Sequence, residues 1–165
     1  MLSEVLRPPR AVPLAITLVS ALALGAALVA QFGFGLQPCQ LCIWQRWPYV
    51  AALALGLIGA GVAGHATARR AAVGLTALAF LVGAGIAGFH AGVEYGWWQG
   101  LPGCAGDGLS GEITADDLQA ALSGQDRLVP CDEPAFVVAG LSMAGWNFVL
   151  SLGLAVAALV ALRRA

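Results

Sequence analysis

The chain has no lysine: its eight basic side chains are all arginine. Every fixed positive charge is therefore a guanidinium, which keeps its proton in proteins. Charge of either sign is scarce. Only 10% of the 165 residues are charged and 59% are hydrophobic, whereas a soluble domain has about a quarter charged. That balance excludes an ordinary water-soluble globule. Two local absences exclude more. Ile43 stands where covalent haem attachment through C-x-x-C-H needs a histidine. No clean A-x-A site follows the first apolar run, and that run exceeds the roughly 7–15 residues of a signal-peptide core, so it reads as a retained span.

What is present is four apolar runs, each long enough for the roughly 20 residues that cross a bilayer. They cover about 11–30, 47–64, 71–92 and 145–162, with loops at about 31–46 and 95–134. The expected fold class is an all-α membrane protein, a single domain of four transmembrane helices over 1–165. The segment from Phe136 to Trp146 reads as the start of a tilted span or an interfacial lead-in to it. Glycines are frequent in the runs, and Gly88 and Gly92 form a G-x-x-x-G of the kind that lets helices approach closely.

The arginines give the orientation. Arg7 and Arg10 precede the first span, Arg69 and Arg70 join the second to the third, and Arg163 and Arg164 follow the fourth. Four spans put all three pairs on one side, and the positive-inside rule makes it the cytoplasm, with both termini there. The other side receives a loop with seven acidic residues, from Asp107 to Glu133, against Arg127 alone. Tyr49, Tyr95, Trp97, Trp98 and Trp146 are placed for an aromatic belt at that outer interface. Within the loop, Thr114 can cap a short amphipathic helix whose stripe is Leu118, Ala121 and Leu122 and whose stop is Gly124.

All four cysteines fall on the outer, oxidising side. Cys39 and Cys42 form a C-x-x-C beside the first span. If Pro38 opens a helix, Cys42 lies in its first turns, where free N–H groups and the helix dipole favour a thiolate. Arg46 follows one turn later on the same face, a permanent positive neighbour for Cys42 or a bound anion. Cys104 and Cys131 bracket the acidic loop. Beside a C-x-x-C they read as an exchanging pair, since disulfide exchange needs only that the sulfurs meet. Two rival readings are a disulfide that merely staples the loop and an all-thiolate zinc site made by the four cysteines. His90 and Glu94 lie one helical turn apart near the outer end of the third span, and an ionisable residue there is a functional candidate. His65 lies at the cytoplasmic turn and reads as solvated.

The run Pro38-Cys39-Gln40-Leu41-Cys42, continued by Gln45-Arg46-Trp47-Pro48-Tyr49, resembles the DsbB family of bacterial inner-membrane proteins. So does Gly140-Leu141-x-Met143-x-x-Trp146, while His90-Ala91-Gly92-Val93-Glu94 before Trp97-Trp98 resembles one subgroup. The likeness covers essentially the whole chain. It implies a four-helix bundle with a quinone, ubiquinone or menaquinone, near the outer face. It implies a thiol:quinone oxidoreductase that reoxidises a DsbA-like periplasmic thiol oxidase. By motif, Cys39 and Cys42 are then the pair that reduces the quinone, with Cys42 nearest the ring and Arg46 and His90 beside it. Cys104 is the sulfur attacked by the DsbA-like partner, and Cys131 is its mate. Phe136 stands where well-known members tend to have tryptophan. A vitamin K epoxide reductase-like enzyme shares this logic, but its quinone C-x-x-C comes late in the chain. A metal-binding or scaffolding membrane protein is the rival outside catalysis.

Overall fold

The computed structural model describes residues 9–101, 104 and 129–164. Helix α1 spans Ala11–Leu28 and runs on as a π-helical turn, Val29–Gly33. A short helix α2, Gln40–Trp44, is separated by Gln45 alone from α3, Arg46–Gly61. Helix α4 spans Ala66–Glu94 and α5 spans Met143–Arg164. Four helical stretches, 11–33, 40–61, 66–94 and 143–163, are long and apolar enough to cross a membrane. The chain is an all-α membrane protein. The short helix expected over 114–124 lies outside the described residues.

The packing is that of helices in lipid. Large apolar side chains point outward, among them Leu14, Leu18, Leu22, Leu57, Leu75, Leu78 and Val149. Small and polar ones point inward. The main core joins Ile16, Tyr49, Ala52, Val73, Ala77, Phe80, Ala155 and Ala158. Helix α3 lies between α1 and α4, and α5 packs along α4. Close approach depends on glycine: a Cβ on Gly56 would sit 2.9 Å from the Pro13 carbonyl oxygen of α1. The half-buried Thr17 hydroxyl bonds to the Pro13 carbonyl and the buried Thr76 hydroxyl to the Ala72 carbonyl, each within its own helix, while the buried Ser20 hydroxyl has no partner among the described residues. For the two threonines that meets the demand for internal partners where no water is present.

Two expectations are corrected here. Tyr49 is not part of an aromatic belt. It is 4% exposed, edge-on to Phe80 with ring centroids 5.7 Å apart, and its hydroxyl is bonded inside the bundle. Tyr95, Trp97, Trp98 and Trp146 are exposed, as a belt requires. The G-x-x-x-G serves no single helix–helix seam either. Gly88 receives Phe148 from α5, whereas Gly92 lies under Trp98, whose ring any added methyl would strike.

The lead-in to α5 is a two-stranded hairpin that the sequence did not announce. Strand β1, Val137–Val138, pairs antiparallel with β2, Leu141–Ser142. Its turn residues Ala139 and Gly140 both have positive φ, 51° and 81°, as a tight two-residue hairpin turn requires. The Trp146 indole donates to the Val138 carbonyl at 2.9 Å and fastens the hairpin to α5. The chain order sets Arg10, Arg69, Arg70 and Arg163 at one end of the bundle. The cysteine helix, the end of α4 and the hairpin share the other.

Candidate redox site

Cys39 is the residue that ends extended backbone and opens α2. Its φ and ψ are −72° and 171°, and its sulfur accepts the backbone N–H of Cys42 at 3.3 Å. It thus does the work of an N-cap side chain. The helix N–H that sequence reasoning offered to Cys42 goes to the Cys39 sulfur instead. One helical turn brings the two sulfurs 2.9 Å apart, with both cysteines free of a disulfide. Cys39 is buried and Cys42 half-buried. Hydrogen bonds from the Cys42 thiol, then from His90, hold the Cys39 thiol well below the ordinary range, against the opposing effect of burial.

Cys104 and Cys131 are joined in a disulfide, and the Cys131 N–H donates to the Cys104 carbonyl at 2.5 Å. Both are buried. They form one apolar cluster with Cys39, Leu41 and Val93, against which Cys42, Phe89, Leu101 and Val129 pack. All four cysteines therefore share one cluster. With Cys104 and Cys131 bonded to each other, the all-thiolate zinc arrangement is not the one formed. The cluster of ligand-type side chains close enough to hold a metal, among the described residues, is Cys39, Cys42 and His90.

His90 comes from α4, and its Nε2 lies 3.5 Å from the Cys39 sulfur and 3.8 Å from a Glu94 carboxylate oxygen. Its Nδ1 lies 2.6 Å from the Gln45 amide nitrogen. The Gln45 carbonyl accepts from the Asn147 amide of α5 at 2.5 Å, and the Asn147 carbonyl accepts from the Tyr49 hydroxyl at 2.7 Å. Ser151 lies 2.9 Å from that hydroxyl. Glu94 accepts from the Ser142 hydroxyl, which itself caps α5 by accepting the Gly145 N–H at 3.1 Å. Arg46 turns to the first span: its Nη1 donates to Gln31 at 2.7 Å, and Gln31 sits in the π-helical turn.

Sequence reasoning brought forward Cys39, Cys42, Arg46, His90, Cys104 and Cys131, and the fold gathers the four cysteines and His90 into one site. It missed Gln45, Asn147, Ser142 and Gln31 as partners. A polar side chain inside an apolar run, as Asn147 is, was the available signal.

The comparisons with known proteins bear on this arrangement. The family model described as disulfide bond formation protein DsbB matches residues 9–161. The chain belongs to the DsbB family. Proteins named disulfide bond formation protein B are similar to it along most of their length. That of Methylococcus capsulatus is 36% identical over 141 residues, 79% of this chain and 80% of the relative. That of Chromohalobacter salexigens is 34% identical over 151 residues, covering 88% and 83%. That of Aromatoleum aromaticum is 32% identical over 166 residues, covering 94% and 93%. No solved structure matches the chain. As a DsbB-family member the chain is a disulfide-forming oxidoreductase built on membrane-spanning helices.

Proposed function

We propose that this DsbB-family protein is a thiol:quinone oxidoreductase that reoxidises a DsbA-like thiol oxidase of the periplasm. The observation that carries this reading is the shared cluster: the loop disulfide and Cys39 are buried in the same group of packed side chains. A pair that only stapled a loop would have no reason to be packed on a second, free pair.

The exchanges balance as follows. A thiolate of the reduced partner attacks Cys104, and Cys131 leaves with the electron pair of the broken bond. In the oxidised enzyme that starts the cycle, Cys39 and Cys42 are themselves joined in a disulfide; the Cys131 thiolate attacks Cys39 in that bond, and Cys42 leaves. The partner's second thiolate attacks its own sulfur in the mixed disulfide, so the partner departs oxidised and Cys104 is freed. The Cys104 thiolate then attacks Cys131, Cys39 leaves, and the loop disulfide is restored. Two electrons and two protons now reside on Cys39 and Cys42.

When bound, a quinone supplies the acceptor for those two electrons and two protons. The donor set on the α1 side suits its oxygens: Arg46 keeps N–H groups beyond the one given to Gln31. Cys42, the more open of the two sulfurs, would face the ring with Arg46 and His90 nearby. A groove of about 330 Å³ on the α4 side, lined by Leu41, Trp44, Gly85, Ile86, Phe89 and Leu101, is apolar by contrast. Orientation follows the positive-inside rule: the arginine end lies in the cytoplasm, with both termini, and the cysteine end in the periplasm of the inner membrane.

Purified protein with a reduced DsbA-like partner and a short-chain ubiquinone should consume one quinone per partner disulfide formed, and should carry quinone without stoichiometric zinc. Partner oxidation at the same rate without quinone under anaerobic conditions would sink the reading, as would stoichiometric zinc on Cys39, Cys42 and His90.

A further inference from the structure

Three side chains of ligand type meet at the outer end of α4. The sulfurs of Cys39 and Cys42 and a ring nitrogen of His90 all lie within 4.8 Å of one another. Tetrahedral zinc, with bonds of about 2.3 Å to sulfur and about 2.0 Å to nitrogen, sets a sulfur and a nitrogen ligand about 3.5 Å apart. His90 Nε2 lies 3.5 Å from the Cys39 sulfur. The same geometry sets two sulfurs about 3.8 Å apart, and these two stand at 2.9 Å. Cys42 is only half-buried, so it is the sulfur with room to turn outward and open that gap. Two thiolates balance a divalent cation, so such a site buries no net charge of its own. The Glu94 carboxylate, 3.8 Å from Nε2, adds attraction for a cation.

A cation at Nε2 requires the lone pair there and the hydrogen on Nδ1. The polar row behind the ring accommodates that state. The Gln45 amide, 2.6 Å from Nδ1, can turn over and accept the Nδ1 hydrogen. Gln45 then donates to Asn147, Asn147 to the Tyr49 hydroxyl, and that hydroxyl to Ser151. A hydrogen bond from the far ring nitrogen is what orients metal-ligating histidines. The cation takes the place of the ring hydrogen for which the Cys39 sulfur, Glu94 and the Cys131 backbone are rival acceptors. We propose that the reduced Cys39–Cys42 pair and His90 form a binding site for a thiophilic divalent cation of the zinc class, with the fourth position left to water. The site exists only while the pair is reduced, because in a Cys39–Cys42 disulfide neither sulfur is a thiolate. Protein isolated with that disulfide formed therefore carries no zinc. A bound cation holds an electron pair of each sulfur and blocks its onward use. That consequence, unlike the binding itself, rests on reading the pair as the one that reduces quinone.

The probe is Co²⁺, whose visible bands report tetrahedral thiolate ligation, with Zn²⁺ as its competitor. The sample is the full chain carrying Cys104→Ser and Cys131→Ser, in which Cys39 and Cys42 are the only thiols. It is held quinone-free in lipid nanodiscs, anaerobic, and reduced with a phosphine. One Co²⁺ per chain with tetrahedral thiolate bands is expected, displaced by one Zn²⁺ and lost once the pair is oxidised. Gln45→Leu should weaken binding by roughly 10- to 100-fold, and His90→Phe should weaken it further and shift the bands. Reduced protein without the bands would overturn the proposal. So would bands that survive oxidation, or that neither substitution alters. In turnover of the unsubstituted protein with a reduced DsbA-like partner and short-chain ubiquinone, Zn²⁺ should inhibit competitively against quinone, and a chelator should reverse it. Inhibition relieved by more partner instead would put the cation on the partner and overturn the blocking role. Bands without turnover in the absence of metal defeat the redox assignment alone; turnover without bands defeats only this proposal.

Discussion

The two cysteine pairs are made of the same atoms and share one cluster, yet their surroundings differ. Cys39 is met by a helix N–H, the Cys42 thiol and the His90 ring. Cys104 and Cys131 are met by Leu41, Val93 and other apolar side chains, and among the described residues neither sulfur has a hydrogen-bond donor. Donors stabilise a thiolate, and burial among hydrocarbons destabilises one. The reduced form is thus favoured at the first pair and disfavoured at the second. A pair whose reduced form is stabilised is the stronger oxidant. On the function proposed above, the contrast favours one direction of flow: electrons that enter at the loop pair would move on to the helix pair.

The comparison can be broken most severely by removing a sulfur. Cys104→Ser and Cys131→Ser should each reduce partner oxidation to background while the protein still inserts. With Cys131 replaced, a mixed disulfide between Cys104 and the partner should be trapped on non-reducing gels. Near-normal turnover by both variants would leave the loop pair a staple.

Arg46→Gln should come next in size. A hydrogen bond to a charged group is worth about 1.5–3 kcal/mol, so quinone use should fall by roughly 10- to 100-fold, with the partner dependence unchanged. Lysine should restore part of it, as charge without the planar fork. Initial rates against each substrate in turn decide the matter; a change confined to the partner's KM would move Arg46 to the other half of the comparison.

His90→Phe should narrow the difference between the pairs. Loss of one donor at Cys39 is worth about 1.5 kcal/mol, which lowers the helix pair's reduction potential by roughly 30 mV. Its pH dependence has a definite sign. The Cys39 thiol lies below the ordinary value of about 8.5. The advantage of the reduced form is therefore full above about 8.5 and is lost as pH falls through the lowered value. Thiolate absorbance of the reduced protein, titrated with and without His90, reads this directly. A Cys39 titration unmoved by the substitution would mean that His90 contributes nothing.

The smallest effect belongs to the hairpin that follows the loop pair. Ala139 has positive φ, where glycine is unstrained. Ala139→Gly should raise stability by at most about 1 kcal/mol and leave turnover unchanged, as judged by thermal unfolding in detergent.

The four spans were legible because each is a long apolar run, and length alone decides crossing. The cysteine helix was legible because C-x-x-C is a local motif, and His90 with Glu94 because i,i+4 spacing is local too. Gln45 and Asn147 were not, since they meet across 102 residues and neither has a local partner. The reversal of roles at the C-x-x-C turns on one dihedral: Cys39 is extended, so it caps the helix rather than joining it. The hairpin was hidden because alanine is an unusual first residue for its turn.

Helix α4 has one further consequence. Its 29 residues make a rod of about 44 Å, while the hydrocarbon layer is about 30 Å thick. A tilt near 20° shortens the projected rod by only about a sixteenth. The surplus must stand in the headgroups or beyond, and His90 and Glu94 occupy its last two turns. The waterline around the sulfurs is therefore fixed by lipid length as well as by the protein. Longer acyl chains bring hydrocarbon up towards Glu94, and shorter ones expose the cluster. The bilayer acts as a gauge of how wet this chemistry is.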